Sequence, residues 1–249
     1  MTVVAGISAK GAPGVSLAMW TITHLWPRTV IGMELDEAGG TWALRHGLTS
    51  EPGLASLAST PDLLTRPVAV EHAHEIGPDR YVVCAPREGS VVTSALAWLD
   101  GRLRAWPSGD DLLLDVGRTR AGAVRESAAI ERADTLLLFA RPRPEDLGPL
   151  ANLLAEVSAV SAPSRSLQLV LVGSSPYRPE DALDAVRELA GIDQITLGAV
   201  LPDDPVSARL IEHGGRKATK VAASWFSGLV DELAAASAHR PFAHVEAGV

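Results

Sequence analysis

The stretch TVVAGISAKGAPGVSLA, residues 2–18, joins an apolar run to a glycine-rich loop and to the start of a helical pattern. The run TVVAGIS predicts a buried strand, since it lacks the alternation of a half-exposed one. A standard phosphate-binding loop reads G-x-x-x-x-G-K-[ST], and its backbone N–H groups hold phosphate oxygens at a helix N-terminus. Gly14 and Ser16 fit that pattern, whereas Ala9 replaces the first glycine and Val15 the lysine. On these letters alone, a plain Gly/Pro turn between strand and helix is an equally good interpretation.

Short apolar runs alternate with longer helical patterns along most of the chain. Strands are predicted at 2–8, 29–36, 80–86, 111–117, 134–140, 166–173 and 195–202. Helices are predicted at 16–26, within 40–48, and at 92–103, 123–133, 144–160, 179–190, 204–213 and 217–238. Residues 49–78 are weakly patterned, so loops and short helices are expected there.

Strands that are apolar on both faces and separated by helices predict a three-layer α/β fold with a mostly parallel central sheet flanked by helices. One domain over residues 1–238 is the simplest interpretation, followed by a loose C-terminal tail at 239–249. Ligands of such folds bind at the carboxyl ends of the strands. The loop at 9–16, which follows the first strand, is therefore the expected site.

Composition narrows the classes of function. The net charge is −8 and the sequence pI about 5.4, which argues against a protein that mainly grips nucleic acid without sequence preference. Cys84 is the one cysteine, so no internal disulfide is available and a reducing compartment is expected. No run of 18 apolar residues and no leader pattern is found, which predicts a cytoplasmic protein.

Lys10 and Gly11 add a second pattern to the loop. A strand, then Lys-Gly-x-x-Gly-x-Ser, then a helix resembles the deviant phosphate loop of the ParA/MinD family of dimerising ATPases. Four further segments resemble that family in the same order, up to about residue 235: MELDEAGGTWALRHGL, LLLDVG, ADTLLLFARPRPEDLGPL and LGAVLPDDPVSARLIEHGG. The run RYVVCAP followed by a helix looks most like the CpaE/TadZ-like branch of pilus loci.

The resemblance implies ATP and Mg²⁺ as cofactors and assigns roles to individual residues. The residues implied to bind the cofactor are Lys10, Gly11, Ala12, Gly14, Val15, Ser16 and Leu17. Those implied to be catalytic are Lys10, which reaches the partner's nucleotide across a dimer, Asp36, which helps to position the attacking water, and Asp115, the switch aspartate. Ser16 and Asp115 are the implied metal ligands. Helix or turn capping is the alternative role for Asp36 and Asp115, and a solvated loop lysine is the alternative for Lys10.

Three departures from the family pattern fall where the nucleotide is expected. Val15 removes a positive charge from the outer phosphates. Pro13 removes one backbone N–H donor from the loop. Gly173 stands where the family usually has an asparagine that reads the adenine base.

These departures predict a degenerate ParA/MinD-like spatial-organisation protein. We expect a homodimeric scaffold that recruits an unidentified protein partner, with weak or no ATP hydrolysis. The rival hypothesis is an active switch ATPase in which Lys10 compensates for Val15. A lower alternative is DNA binding through a basic cluster, although a solvated face is favoured on so acidic a chain. That cluster is Arg209, Arg216, Lys217 and Lys220.

Other candidate chemistry is weaker. His72 and His74 could contribute to a metal site, but a solvated, charged edge segment is the favoured interpretation of EHAHE, since no other His or Cys cluster completes a site. Cys84 lies in an apolar run and is expected to be a small core residue. The tail AHRPFAHVEAGV has little amphipathic character, so no membrane anchor is predicted.

Overall fold

A computed structural model describes residues 2–11, 14–106, 110–120, 122–124, 127–160 and 165–238. The predicted loop positions Ala12 and Pro13, and the predicted tail at 239–249, lie outside the described residues. The domain assignment to 1–238 and the loose tail therefore stay predictions.

Eight strands form one sheet whose members are mostly parallel. They are β1 (Val3–Ser8), β2 (Val30–Glu34), β3 (His74–Gly77), β4 (Arg80–Val83), β5 (Asp111–Arg118), β6 (Thr135–Ala140), β7 (Ser166–Val172) and β8 (Ile195–Leu201). Their order across the sheet is β3-β4-β2-β5-β1-β6-β7-β8, and only β3 runs antiparallel to its neighbour. The carboxyl ends of the parallel strands thus meet at one edge, where β1 lies between β5 and β6.

Ten helices are found among the described residues. They are α1 (Val15–Leu25), α2 (Trp42–His46), α3 (Leu54–Ser59), α4 (Arg66–Glu71), α5 (Gly89–Arg104), α6 (Ala128–Arg132), α7 (Pro144–Val160), α8 (Pro179–Ala190), α9 (Pro205–His213) and α10 (Arg216–Ala238). One apolar cluster packs α3, α5, α6, α7 and α8 on one face of the sheet, and a second packs α1 and α10 on the other. The predicted three-layer α/β fold is confirmed.

The differences from the predicted elements are local. The segment expected to hold only loops and short helices also contains β3, an edge strand whose residues are all partly exposed and which therefore carries no buried apolar run. The helix expected at 123–133 is limited to Ala128–Arg132, where the Ser127 hydroxyl accepts a hydrogen bond from the Ile130 N–H and caps its start. No helix in the described part of the chain is long and apolar enough to cross a membrane.

Asp111 ties three segments together at the amino edge of the sheet. Its side chain is buried and accepts hydrogen bonds from the Thr2 N–H at 2.7 Å, the Trp26 Nε1–H at 2.8 Å and the Arg28 Nε–H at 2.9 Å. Arg28 also places Nη2 at 2.8 Å from the same carboxylate. The starts of β1 and β5 and the end of α1 are thereby fixed by one buried charge whose partners satisfy it.

We expect Asp111→Ala to lower the free energy of unfolding by about 3 kcal/mol, because it leaves the buried indole N–H of Trp26 without its acceptor and removes the carboxylate that pairs with Arg28. Urea denaturation followed by circular dichroism measures the loss. The matched control is Asp110→Ala, which removes a looser ion pair to Arg66 at 3.7 Å and should cost less than about 1 kcal/mol. Equal losses in the two variants would contradict the role given to Asp111.

Candidate functional site

Gly14 and the first turn of α1 form the described part of a candidate anion site. Gly14 is in the left-handed conformation at φ 81°, and its carbonyl accepts the Ala18 N–H at 3.0 Å to open α1. A Cβ on Gly14 or on Gly11 would meet no atom of the described residues within 4 Å. Ser16 and the rest of the first turn follow directly, with N–H groups that a helix leaves unpaired.

Val15 lies where a standard loop carries its lysine, and its side chain is only 5% exposed. It belongs to the apolar cluster formed by α1 and α10. Gly6 of β1 allows this close packing, since a Cβ there would lie 2.7 Å from Met19 Sδ and 3.1 Å from Val15 Cγ1. The side chain at this position therefore fills the core and brings no charge to the candidate anion site.

Lys10 is half exposed and extends toward α7. Its Nζ lies 4.0 Å from Asp146 Oδ1 in the first turn of that helix. A surface pair of this kind contributes little to stability. Next to it, Arg141 interacts with Asp203 at 3.6 Å. The predicted signature lysine is thus at the mouth of the loop, in loose contact with a carboxylate that sequence reasoning did not single out.

Asp115 is the most unusual group of the site. It lies in register with Gly6 of β1 and Glu34 of β2, is fully buried, and neither of its carboxylate oxygens has a hydrogen-bond partner. Burial, followed by the charge of Glu34, raises the pKa of Asp115 to about 8. The Ser16 hydroxyl and the Gly117 N–H partly offset this rise in pKa from positions that fall short of hydrogen-bond geometry.

Glu34 has a structural role. One carboxylate oxygen accepts hydrogen bonds from the backbone N–H groups of Thr41 and Trp42 at the start of α2. The other accepts the Ala85 N–H at 3.1 Å, just after β4. Burial raises the pKa of Glu34, and these N–H donors oppose the rise. The structure thus makes Glu34 the tie between β2, α2 and β4.

Asp36 is partly buried and packs against the end of β5. It accepts the Ala38 N–H at 2.9 Å, and burial raises its pKa. Gly117 has φ 66°, and a Cβ there would lie 2.1 Å from Asp36 Oδ2. A left-handed glycine two residues after Asp115 therefore lets the Asp36 carboxylate contact the β5 backbone. Asp36 and Asp115 are thus brought to the same edge, as predicted.

The oxygen donors of the site fit a magnesium ion. Mg²⁺ is usually held by one or two protein oxygens, with phosphate and water completing its shell. The Ser16 hydroxyl and the unpartnered Asp115 carboxylate provide such a pair. No group of three or more His, Cys, Asp or Glu side chains in the described ranges could hold a metal alone. His72 contacts Ser56 and His74 contacts the Thr49 carbonyl, so the two histidines of EHAHE do not converge.

Two residues discussed from the sequence, Gly173 and Cys84, and one that the sequence analysis missed, Thr119, lie outside the segment between β1 and α1. Gly173 ends β7 at φ 96°, and a Cβ there would lie 3.2 Å from Asp203 Cβ. Cys84 is buried, which raises the pKa of its thiol to about 12, in keeping with a core residue. Thr119 was missed: its hydroxyl is buried without a partner, while its N–H donates to the Ser8 carbonyl beside the loop. The only sequence signal for Thr119 was that it carries a hydroxyl and closely follows Asp115, the predicted switch aspartate.

The basic cluster predicted near the C-terminus lies on α9 and α10. Its members are all exposed: Arg209, Arg216, Lys217 and Lys220. DNA binding through this cluster stays a prediction.

We expect Asp115→Asn to stabilise the protein at neutral pH by about 1–2 kcal/mol, or roughly 2–8 °C. The folded pKa of about 8 lies above the usual 3.8, so the unfolded chain ionises first and stability is lost as pH rises from about 4 to 8. The amide removes that loss.

Thermal unfolding of wild type and Asp115→Asn at pH 4 and pH 8 measures this stabilisation. The gain in stability should be large at pH 8 and vanish at pH 4. The exposed Asp193→Asn variant controls for the general loss of one negative charge. A gain that is the same at both pH values would contradict the assignment.

Comparison with known proteins supports the fold of the chain. No protein-family profile matches the chain, and no curated protein sequence matches it. Solved structures do match. MinD of Pyrococcus horikoshii OT3 complexed with Mg-ADP has a TM-score of 0.72 at 18% identity, over 95% of this chain and 98% of that one. A ParA family ATPase of Chlorobium tepidum TLS has 0.68 at 19%, over 96% and 100%. An ATP complex of a Cyanothece McdA variant has 0.70 at 15%, over 96% and 98%. The chain therefore has the fold of the MinD, ParA and McdA ATPases, as its sequence predicted.

Proposed function

We propose that this chain is a ParA/MinD-like spatial-organisation protein that acts mainly as a dimerising scaffold, with weak or no ATP hydrolysis. The observation that carries the proposal is the burial of Val15: the position that should bring a lysine to the outer phosphates is occupied by a core side chain. A charge-assisted hydrogen bond of that kind contributes about 1.5–3 kcal/mol to binding. It contributes more in a transition state that develops negative charge.

The scaffold would position a cellular machine, such as a division site, a chromosome partner, or a pilus or secretion apparatus. Two features support a homodimer built on the edge that carries the loop. Lys10 is exposed there and its only close ionic contact among the described residues is the 4.0 Å approach to Asp146. The fold is also that of a MinD and a ParA family ATPase, and in the ParA/MinD family, which this sequence resembles, a lysine at that place in the loop reaches across a dimer.

A second candidate function is an active dimerisation switch that hydrolyses Mg-ATP. The unpartnered carboxylate of Asp115 favours it, since a buried acid with both oxygens free is costly unless a ligand uses it. When bound, Mg²⁺ would neutralise charge on the phosphates. For this second function, Ser16 and Asp115 would hold the ion and Asp36 would orient the attacking water. The first turn of α1 would bind the phosphates through its N–H groups.

Calorimetric titration with Mg-ATP and Mg-ADP tests the first candidate against the second. We expect wild type to bind weakly or not at all, and Val15→Lys to bind about 10–100-fold tighter, because it adds a positive charge at the position where a standard phosphate loop carries its lysine. Val15→Met is the matched control, with similar length and no charge. Thermal melting of each variant verifies that it is folded.

Micromolar binding by wild type, with a Mg²⁺-dependent ATPase rate that Ser16→Ala abolishes, would establish the switch and refute the scaffold. Binding by neither protein would show that the single charge is not the decisive loss.

Lys10→Ala should shift the protein toward monomer if Lys10 lies in the dimer interface. Sedimentation velocity over a concentration series, with and without Mg-ATP, measures the dimer fraction. Lys217→Ala, which removes an exposed lysine from α10, should leave that fraction unchanged. An identical sedimentation profile for wild type and Lys10→Ala would remove Lys10 from the interface.

A further inference from the structure

Helices α3 and α5 leave an open groove on the outer surface of the molecule. It encloses about 680 Å³ and is lined on the α3 side by Ala55, Ala58 and Pro61. Its floor is made of small side chains, because Ala58 and Ala95 are 8% and 5% exposed. The groove contains none of the residues of the phosphate loop.

Helix α5 presents two different faces. Val92, Leu99 and Leu103 are buried in the core against the sheet. The groove face is formed by Val91, Ser94, Ala95, Trp98 and Arg102, whose spacing of i, i+3, i+4, i+7 and i+11 places them along one side of the helix. This second face has no covering element within the described part of the chain.

Trp98 gives the groove an apolar wall at the solvent boundary. Its side chain is 69% exposed, and Val91, two helical turns earlier on the same face, is 41% exposed. An exposed tryptophan beside a groove is the type of residue that dominates binding energy at protein interfaces. The small-residue floor lets another backbone approach closely, as helix packing at 8–10 Å requires.

Arg102 indicates the charge of the occupant. Its Nη1 is buried at the end of the groove face and donates no hydrogen bond. Arg102 is also the only ionisable side chain among the described residues that line the groove. The side chain as a whole is only partly buried, so its permanent positive charge at the groove favours a carboxylate in the incoming surface.

We propose that this groove docks a helical segment of a partner protein that presents a large apolar residue to Trp98 and a Glu or Asp to Arg102. The apolar wall and small-residue floor accept the apolar face of such a helix, and the partly exposed guanidinium of Arg102 pairs with its carboxylate. The groove shares no residue with the loop edge assigned above to the homodimer, so a second copy of this chain is the less suited occupant. The inference does not depend on nucleotide, because the groove and the loop share no residue.

The probe is a helical peptide about four turns long, with leucines along one face and a single glutamate beside them. Its matched partner has glutamine in place of that glutamate. Titration into the full chain, without nucleotide, is followed by NMR of the indole N–H groups of the six tryptophans. Trp98 is assigned by the signal that Trp98→Ala removes.

The expected result is a saturable shift of the Trp98 signal, with the glutamate peptide binding about tenfold tighter than the glutamine peptide. Trp98→Ala should abolish binding, and Arg102→Gln should make the two peptides equivalent. Leu189→Ala, which removes an exposed apolar side chain from α8, is the control and should change neither affinity.

Three results would overturn the proposal. The first is no saturable shift at peptide concentrations up to about 1 mM. The second is equal affinity of the two peptides for wild type. The third is a concentration-dependent dimer that Trp98→Ala abolishes in sedimentation, which would make a second copy of this chain the occupant.

Discussion

The close approach of α1 to β1 is the contact on which the arrangement of the site depends. Gly6 has no side chain to separate the two, so Met19 and Val15 rest directly on the strand. That approach sets the start of α1 beside the carboxyl end of β5 and brings the Ser16 hydroxyl toward Asp115. The same contact buries Val15. One packing contact therefore brings the oxygen donors of the site together and also buries Val15, which stands where a standard loop carries its lysine.

Three carboxylates at this edge differ in what the protein gives them. Glu34 is satisfied by backbone N–H donors from two loops, so its burial is compensated and it holds those loops in place. Asp36 is partly exposed and rests on Gly117. Asp115 is buried without a partner, an arrangement that native structures seldom keep unless a ligand uses it. Residues of one chemical type at one edge thus differ in whether the protein satisfies their hydrogen bonds.

Most of the fold could be predicted from the sequence, because buried strands and amphipathic helices leave strong periodic signals and because Gly47 and Gly191 end helices in the left-handed conformation. β3 carries no such signal, since its few residues are half exposed at the sheet edge. The residues of the loop and the order of the family-like segments along the chain predicted Asp36, Asp115 and Ser16 as site residues. The hydrogen bonds of Glu34, the approach of Lys10 to Asp146 and the groove beside Trp98 join segments distant in sequence, so only the folded chain reveals them.

Asp111 and Asp115 lie on the same strand, four residues apart, at opposite edges of the sheet. One anchors three segments through satisfied hydrogen bonds, and the other sits unsatisfied among the candidate ligands. The carboxylate that anchors the chain and the carboxylate that lacks a partner are therefore separate positions on one strand. A substitution at the carboxyl edge can change the chemistry there while the anchor at the amino edge, and with it the architecture, stays intact.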